Sequence, residues 1–366
     1  MRGSLWLLLS LLLVLGGCKP TTKQATTTTT APSRDLPQAV KLQGSIFASE
    51  WKVTIIARDA TTLHQARAQS IWINATLAEV ERQLSLWKPE SELSRFNRAE
   101  WTEAVSVTPG LGSVLATCLD VGAKTDGAFD ITLGPLLELW GFSASTKGKV
   151  TAPPSVADIA TARARTGLSL LHLDSGGLKK DREDVVVDVT AVGDAAAAAA
   201  VMAGLAERGF QDVLVDVAGE VVVRGSGLSG PWQVGVNVPT PDAAPDAVER
   251  IVLLPTSGAA VRALSTSGTY RESFSSDGQR YAHILDPRTA APVPVDSKGG
   301  DLVSCTIVAA DVVVADALST ACLVLGEEQT RAILDRFPGA QALFLRAQPD
   351  LSIAATTTAG FPAARP

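Results

Sequence analysis

The stretch at residues 185–207 most constrains how this chain can fold. A β-branched run at 185–189 is followed by a polar turn containing Gly193, and then by an alanine-rich segment at 195–207. This order predicts a strand, a turn and a long helix at 195–207, because alanine favours helix. Two interpretations of the turn remain open. It is either a plain strand-to-helix connection, or a ligand site where backbone N–H groups of the helix N-terminus face an anion.

The rest of the chain predicts strands in hairpins mixed with helices. Alternating or β-branched runs separated by glycine turns predict strands at 40–57, 213–217, 220–224, 232–237, 251–254, 302–308 and 340–345. Apolar residues at helical spacing predict helices at 61–86, 91–97, 108–122, 315–325 and 328–336. The predicted fold class is therefore α+β, with mixed sheets and flanking helices rather than a regular βαβ series.

The N-terminus has the features of a bacterial lipoprotein signal. Met1 and Arg2 precede an apolar run at 5–15, which is short for a membrane span and ends in Leu-Gly-Gly-Cys. That ending looks like a lipobox. We therefore expect residues 1–18 to be a signal peptide with a lipidated Cys18, which would anchor the protein to a membrane of the cell envelope, facing the periplasm. An ordinary signal peptide with an incidental cysteine is the alternative.

Composition divides the remainder of the chain. Residues 19–40 are mostly polar, without apolar periodicity in their first part, and are predicted to be a flexible tether. Residues 41–350 are predicted to form the folded domain, and residues 351–366 a disordered tail. The 366 residues are 46% hydrophobic, which is enough for one large core or two modest ones.

Charge and cysteine content exclude some functions. The net charge of -6 and the lack of a basic block argue against binding of nucleic acid through phosphate neutralisation. After Cys18, three cysteines remain in apolar surroundings, namely Cys118, Cys305 and Cys322. Buried free thiols are expected, with a Cys305–Cys322 disulfide as the alternative. No Cys/His cluster in the sequence suggests zinc.

A few polar residues stand out as candidates for chemistry. Asp316 and Thr320 lie four apart on a predicted helix, so their oxygens face one side. Together with a backbone carbonyl they would form the oxygen-only ligand set that suits Mg²⁺. A helix-capping aspartate with a threonine bonded to the preceding turn is the alternative. His283 could be a general base or an ordinary exposed loop histidine. Trp87 and Trp140 could stack on a ligand ring or be half-buried core residues.

Four motifs occur in an order that resembles the ApbE family of FAD:protein FMN transferases, which are periplasmic flavin transferases and often lipoproteins. The motifs are LSLWKPESELSRFN at 84–97, TDGAFDITLGPLLELWGF at 125–142, HILDPRT at 283–289 and ADALST at 315–320. The resemblance spans roughly residues 44–345. It implies the fold of these transferases and transfer of FMN from FAD to a Thr or Ser hydroxyl of an acceptor protein, with release of AMP. The acceptor would be a redox membrane subunit or another flavoprotein.

The resemblance also implies roles for individual residues. Asp316, Thr320 and the carbonyl of Ala191 would hold Mg²⁺, and His283 would be the base that activates the acceptor hydroxyl. The residues implied for the FAD site are Phe47, Trp87, Ala128, Phe129, Asp130, Asp188, Asp194 and Leu285, with Trp87 placed to stack on a ring.

The chain departs from the family pattern within residues 190–199. Asp194 stands where the family usually has a lysine, although some members carry an acidic residue there, and alanines follow it. Two alternatives to the transferase are therefore kept. One is a flavin-binding lipoprotein that does not transfer FMN, and the other is an Mg²⁺-dependent FAD pyrophosphatase that uses water as the acceptor.

Overall fold

The computed structural model describes residues 36–365 except 245, 257, 296–299 and 351. The predicted signal peptide, the lipidated Cys18 and most of the predicted tether lie outside these residues. The first strand begins at Gln38, so the folded domain starts slightly before the predicted boundary at residue 41.

The described part of the chain contains eight α-helices and sixteen strands. The helices are α1 Ala60–Arg67, α2 Gln69–Leu84, α3 Glu92–Arg98, α4 Pro109–Lys124, α5 Gly134–Trp140, α6 Val156–Arg163, α7 Gly193–Glu207 and α8 Val312–Ile333. The strands are β1 Gln38–Ile46, β2 Ser49–Ala57, β3 Leu171–Asp174, β4 Gly177–Lys180, β5 Val213–Val217, β6 Glu220–Arg224, β7 Trp232–Asn237, β8 Val248–Leu254, β9 Val261–Gly268, β10 Ser273–Ser276, β11 Gln279–Asp286, β12 Ala291–Val295, β13 Leu302–Ala309, β14 Gln341–Ala347, β15 Ile353–Thr357 and β16 Ala364–Arg365.

An eight-stranded antiparallel sheet organises the domain. Its strand order is β1-β2-β5-β6-β9-β13-β14-β15, and it is covered on both faces. Strand residues alternate between the faces: on β9, Ala263 joins the core beneath helices α2, α4, α7 and α8, whereas Leu264 joins the core beneath the β16-β8-β7 sheet. The predicted α+β class with flanking helices is confirmed, and the strand pairings within the described residues are antiparallel rather than mixed.

A second, three-stranded sheet carries His283. Its order is β10-β11-β12, and His283 lies on the central strand β11. The sheet packs against α5 through aromatic side chains, because the ring of Trp140 lies 5.7 Å from that of Tyr281 and the Trp140 indole N–H donates to the Ala290 carbonyl at 3.0 Å. Trp140 is therefore a buried core residue and not a stacking platform.

The predicted strand at 185–189 is wrong, although the helix that follows it is confirmed as α7. The segment buries Val185, Val187 and Val189, but within the described residues it pairs with no strand. The Asn97 amide donates to the Val187 carbonyl at 2.8 Å and accepts from the Val187 N–H at 2.9 Å, and the Asp188 N–H donates to Ile131. The β-branched residues correctly indicated that the segment is buried, but they wrongly indicated that it pairs with another strand.

Two further predictions need correction. The single early strand at 40–57 is a hairpin of β1 and β2. The tail predicted to be disordered is ordered in part, since β15 pairs with β14 and β16 pairs with β8. Ala355 and Phe361 pack on the core beneath β7 and β8, and this burial compensates for the low apolar content of the tail.

The cysteines and the apolar helix that follows residue 189 can be compared with the described residues. Cys118, Cys305 and Cys322 are free and buried, as expected from their apolar surroundings, so the alternative Cys305–Cys322 disulfide is not present. One helical stretch in the described chain, Thr190–Glu207, is long and apolar enough to cross a membrane. It packs on β5, β6, α2 and α8, as the core helix of a folded domain does.

Candidate functional site

One cavity of about 390 Å³ brings together nearly all the predicted site residues. It lies where the loops after α2, α4 and α5 meet the start of α7, the ends of β9 and β11, and helix α8. Of the predicted residues, those that line it are Trp87, Ala128, Phe129, Asp130, Asp188, Ala191, Asp194, His283, Leu285, Asp316 and Thr320. Phe47 lines a smaller neighbouring cavity, which shares Trp87 and Asp194 with the first.

Helix α8 and strand β9 form a cluster of hydroxyls and a carboxylate at the base of this cavity. Asp316 and Thr320 lie one turn apart on α8 and face the serines of β9. The Ser265 hydroxyl donates to the Asp316 carboxylate at 3.1 Å, and the hydroxyls of Ser267 and Thr320 are 3.0 Å apart. Asp316 does not cap its helix, since the N-cap is Asp311, so the capping alternative for Asp316 is wrong.

The carboxylates around this cluster have perturbed pKa values. Burial raises the pKa of Asp316 well above its ordinary value; the Ser265 hydrogen bond opposes the rise, and the charge of Asp194 adds to it. Burial also raises the pKa of Asp194, to about 6. Burial disfavours the charged form of a carboxylate, and a nearby acid adds to this effect.

The donor set fits a hard divalent cation. Asp316 and Thr320 offer a carboxylate and a hydroxyl, and the 3₁₀ turn Thr190–Val192, which includes Ala191, packs against α8. Two buried oxygens beside this set, Asp194 Oδ1 and Glu220 Oε2, have no hydrogen-bond partner among the described residues. The described chain has no cluster of three or more His, Cys, Asp or Glu side chains with metal-binding geometry. A carboxylate, a hydroxyl and a backbone carbonyl are oxygen ligands of the kind that Mg²⁺ takes.

His283 is a half-buried strand residue, which excludes the exposed-loop alternative. Its ring Nδ1 lies 3.2 Å from the carbonyl oxygen of Glu272. A carbonyl can only accept, so Nδ1 carries the proton in this hydrogen bond and the Nε2 lone pair is free. Burial lowers the pKa of His283, with partial opposition from Glu272. A neutral imidazole with a free Nε2 in a cavity is suited to accept a proton at neutral pH.

The remaining predicted residues form the walls of the cavity. Asp130 and Asp188 each accept hydrogen bonds from the N–H and hydroxyl of the threonine two residues later, which fixes the carboxylates in place. Trp87 is 57% exposed at the mouth of the cavity, so a face of its indole is open to a ligand. The half-buried alternative for Trp87 does not hold.

Several lining residues were not singled out from the sequence as site residues. They are Lys147, Glu220, Thr266, Ser267, Arg271 and Glu272. Lys147 forms an ion pair with Glu272, whereas Arg271 has no acidic partner among the described residues. Glu220 follows Gly219, and Thr266, Ser267, Arg271 and Glu272 lie close to Gly268 in sequence. These glycines were the only sequence signal for the five residues, and Lys147 had none.

Comparisons with known proteins identify relatives of this chain. The ApbE family model matches residues 47–344. A protein of Klebsiella pneumoniae (strain 342) named "FAD:protein FMN transferase" is 36% identical over 332 residues, covering 89% of this chain and 88% of the relative. An Escherichia coli (strain K12) protein of the same name is 33% identical over 300 residues, covering 81% of each.

Solved structures give the same result. The structure of "Flavin Transferase ApbE from Vibrio cholerae" is similar with a TM-score of 0.74 and 27% identity, over 89% of this chain and 99% of that one. The apo form of the Pseudomonas stutzeri flavinyl transferase ApbE has a TM-score of 0.74 and 30% identity, over 90% and 98% of the two chains. The chain therefore belongs to the ApbE family.

Proposed function

We propose that this protein is an Mg²⁺-dependent FAD:protein FMN transferase. It moves the FMN part of FAD to a Thr or Ser hydroxyl of an acceptor protein and releases AMP. The observation that carries the proposal is that His283, with a free Nε2, shares one cavity with the oxygen cluster of Asp316 and Thr320. Family membership and the names of the relatives support the same activity.

In this reaction His283 acts on the acceptor. Its Nε2 takes the proton of the acceptor hydroxyl as that oxygen forms a bond to the phosphorus of the FMN moiety. The bond between this phosphorus and the bridging oxygen breaks, and AMP leaves. The Glu272 carbonyl holds the ring through Nδ1 and stabilises the positive charge that develops on the imidazole.

Asp316, Thr320 and the Ala191 carbonyl would hold Mg²⁺. The ion, when bound, neutralises charge on the phosphoryl oxygens during transfer. The anionic carboxylates of the cavity would otherwise repel the pyrophosphate. Arg271 lies on the same wall and supplies a further positive charge for a phosphate group.

The flavin part would lie toward the mouth of the cavity. Trp87 offers a ring face for stacking on the isoalloxazine, and Ala128, Phe129 and Leu285 offer apolar contact. The oxygens of Asp130 and Asp188 are acceptors for ring N–H and ribityl hydroxyl groups. Asp194 is a polar wall residue, and Phe47 extends the apolar surface beyond Trp87.

Lipid anchoring through Cys18 and a periplasm-facing location belong to the same proposal, supported by the apolar run and Leu-Gly-Gly-Cys ending. A transferase with this location would meet acceptor proteins of the envelope. Metabolic labelling with a radioactive fatty acid tests the anchor, since label should enter the wild-type chain and be absent from Cys18→Ala.

The activity is tested by incubating the full chain in detergent with FAD, Mg²⁺ and a threonine-containing acceptor peptide. Mass spectrometry should show covalent addition of FMN to the peptide, and EDTA should abolish it. AMP release without a peptide adduct would indicate the pyrophosphatase instead. Tight FAD binding with no AMP under any of these conditions would indicate the non-transferring flavin-binding protein.

A further inference from the structure

Glu220 is an acidic residue of the cavity to which no role has been given. It is the first residue of β6 and follows a tight turn in which Ala218 and Gly219 have φ values of 55° and 101°. The register of β6 with β9 places Glu220 beside Ser265, the serine that bonds Asp316. The turn and the strand pairing together fix where this carboxylate lies.

Ser265 cannot satisfy both acids that face it. Its hydroxyl donates to Asp316 Oδ1 at 3.1 Å, and Glu220 lies on the other side of it, on the paired strand β6. A hydroxyl has a single proton, so one of the two carboxylates is left without this donor. The Oε2 atom of Glu220 is buried and has no hydrogen-bond partner among the described residues. The Oδ1 atom of Asp194 is likewise buried and without a partner among them.

The charged groups around Glu220 make its lack of a hydrogen-bond donor more costly. The carboxylates of Asp316 and Asp194 line the same cavity as Glu220, and their charges act on it together with that of Asp216. A buried oxygen without a donor costs free energy comparable to a lost hydrogen bond, and more when it is charged. A divalent cation is the group that removes this cost for several carboxylates together, because it neutralises them and coordinates their free oxygens.

We propose that Glu220 belongs to the divalent-cation site, with its Oε2 oxygen facing the ion that Asp316 holds. This inference rests on the proposed function, which places Mg²⁺ at Asp316, Thr320 and the Ala191 carbonyl. It adds Glu220, on the opposite side of Ser265, as a second carboxylate of this cation site. The site thereby gains charge, and the affinity of oxygen-ligand sites for divalent cations rises with their charge.

The test measures cation binding directly and does not depend on FMN transfer. Full-length protein in detergent is stripped with EDTA, and Mn²⁺ binding is titrated by the loss of the free-ion EPR signal. Glu220→Gln keeps the size of the side chain and removes its charge, so the dissociation constant for Mn²⁺ should rise about 10- to 100-fold. Glu249→Gln is the matched control, because Glu249 is a half-buried glutamate on β8 that does not line the cavity.

Thermal unfolding separates this role from a purely structural one. Without cations, Glu220→Gln should melt at the same temperature as wild type or higher, because it removes like-charge repulsion. With Mn²⁺ added, its gain in melting temperature should be smaller than that of wild type. If Glu220→Gln does not fold, Glu220→Asp keeps the charge, withdraws the oxygen by one methylene, and should also weaken Mn²⁺ binding.

The outcomes distinguish this inference from the proposed function. The Glu220 variant could bind Mn²⁺ within twofold of wild type while Asp316→Asn loses binding. This result would overturn the role of Glu220 and leave the Asp316 site standing. Wild-type protein that binds no Mn²⁺ would overturn both the role of Glu220 and the metal part of the proposed function. FMN transfer measured separately tests the transferase itself.

Discussion

Replacing His283 by alanine gives the sharpest test of the proposed mechanism. Among the described residues, four other acids of the cavity have partners of their own. Glu272 pairs with Lys147, Asp316 bonds Ser265, and Asp130 and Asp188 each bond the threonine two residues later. A general base contributes about 10²- to 10⁴-fold to a rate. The variant should lose this factor in the rate of FMN transfer, which corresponds to about 3–5 kcal/mol in the activation barrier at 1.36 kcal/mol per tenfold.

The assay is single-turnover formation of the flavinylated acceptor at saturating FAD, followed by in-gel flavin fluorescence. FAD affinity, measured by fluorescence quenching, should change little, because the ring of His283 is assigned to the acceptor and not to the flavin. His172→Ala is the matched control, since His172 is an exposed histidine paired with Asp181 and lies outside the cavity. A His283→Ala transfer rate within fivefold of wild type would refute the assignment.

The pH profile provides a second check on the same residue. Burial disfavours the imidazolium and lowers the pKa of His283 below its ordinary value of 6.5. The base form is therefore already dominant at pH 7, so the rate should be flat above neutrality and fall only as the pH drops below 6.5. A rate that still rises steeply between pH 7 and 9 would contradict a neutral His283 as the base.

Three other perturbations test the site and the fold. Trp87→Ala should weaken FAD binding, measured by calorimetry, by about 1–3 kcal/mol, because stacking is lost. Trp101→Ala is the control and should leave FAD binding unchanged, because Trp101 lies outside the cavity and has a similar exposed fraction, 52% against 57% for Trp87. Mg²⁺ at a hundredfold excess over its dissociation constant should stabilise the wild-type protein by about 2.7 kcal/mol and so raise its melting temperature. Asp316→Asn should abolish this rise. An undiminished rise in the variant would place the ion elsewhere. Gly268→Ala would put a Cβ 2.1 Å from the Tyr270 ring and should cost about 1–3 kcal/mol in urea unfolding, and an unchanged midpoint would show that the ring can move away.

Much of the fold could be predicted from local patterns. The helix at α7 follows from its alanine content, and Ser91 caps α3 as its position before an acidic first turn predicts. The strands β5, β6 and β7 follow from β-branched runs bounded by glycine turns. In these elements the local preference of the chain and the tertiary environment agree, so sequence reasoning succeeds.

The failures occur where partners distant in sequence decide the backbone. Residues 185–189 have strand composition, but Asn97, ninety positions away, takes the hydrogen bonds of Val187. The C-terminal tail has the composition of a disordered segment, yet it supplies β15 and β16 because β14 and β8 present free edges to it. The composition of a segment indicates how much apolar surface it can bury. It does not indicate which strand of a sheet has a free edge with which the segment can pair.

For the site, the sequence by itself determined which residue types are present and how they are spaced within each motif. Asp316 and Thr320 share a helix face because of the helical repeat, and the motif order was sufficient to indicate the ApbE family. Only the tertiary structure decided that Glu220 and Ser265 meet Asp316, since they come from β6, β9 and α8. The tautomer of His283 and the partnerless oxygen of Glu220 likewise depend on contacts between separate elements, and such contacts are fixed by the packing of the whole chain.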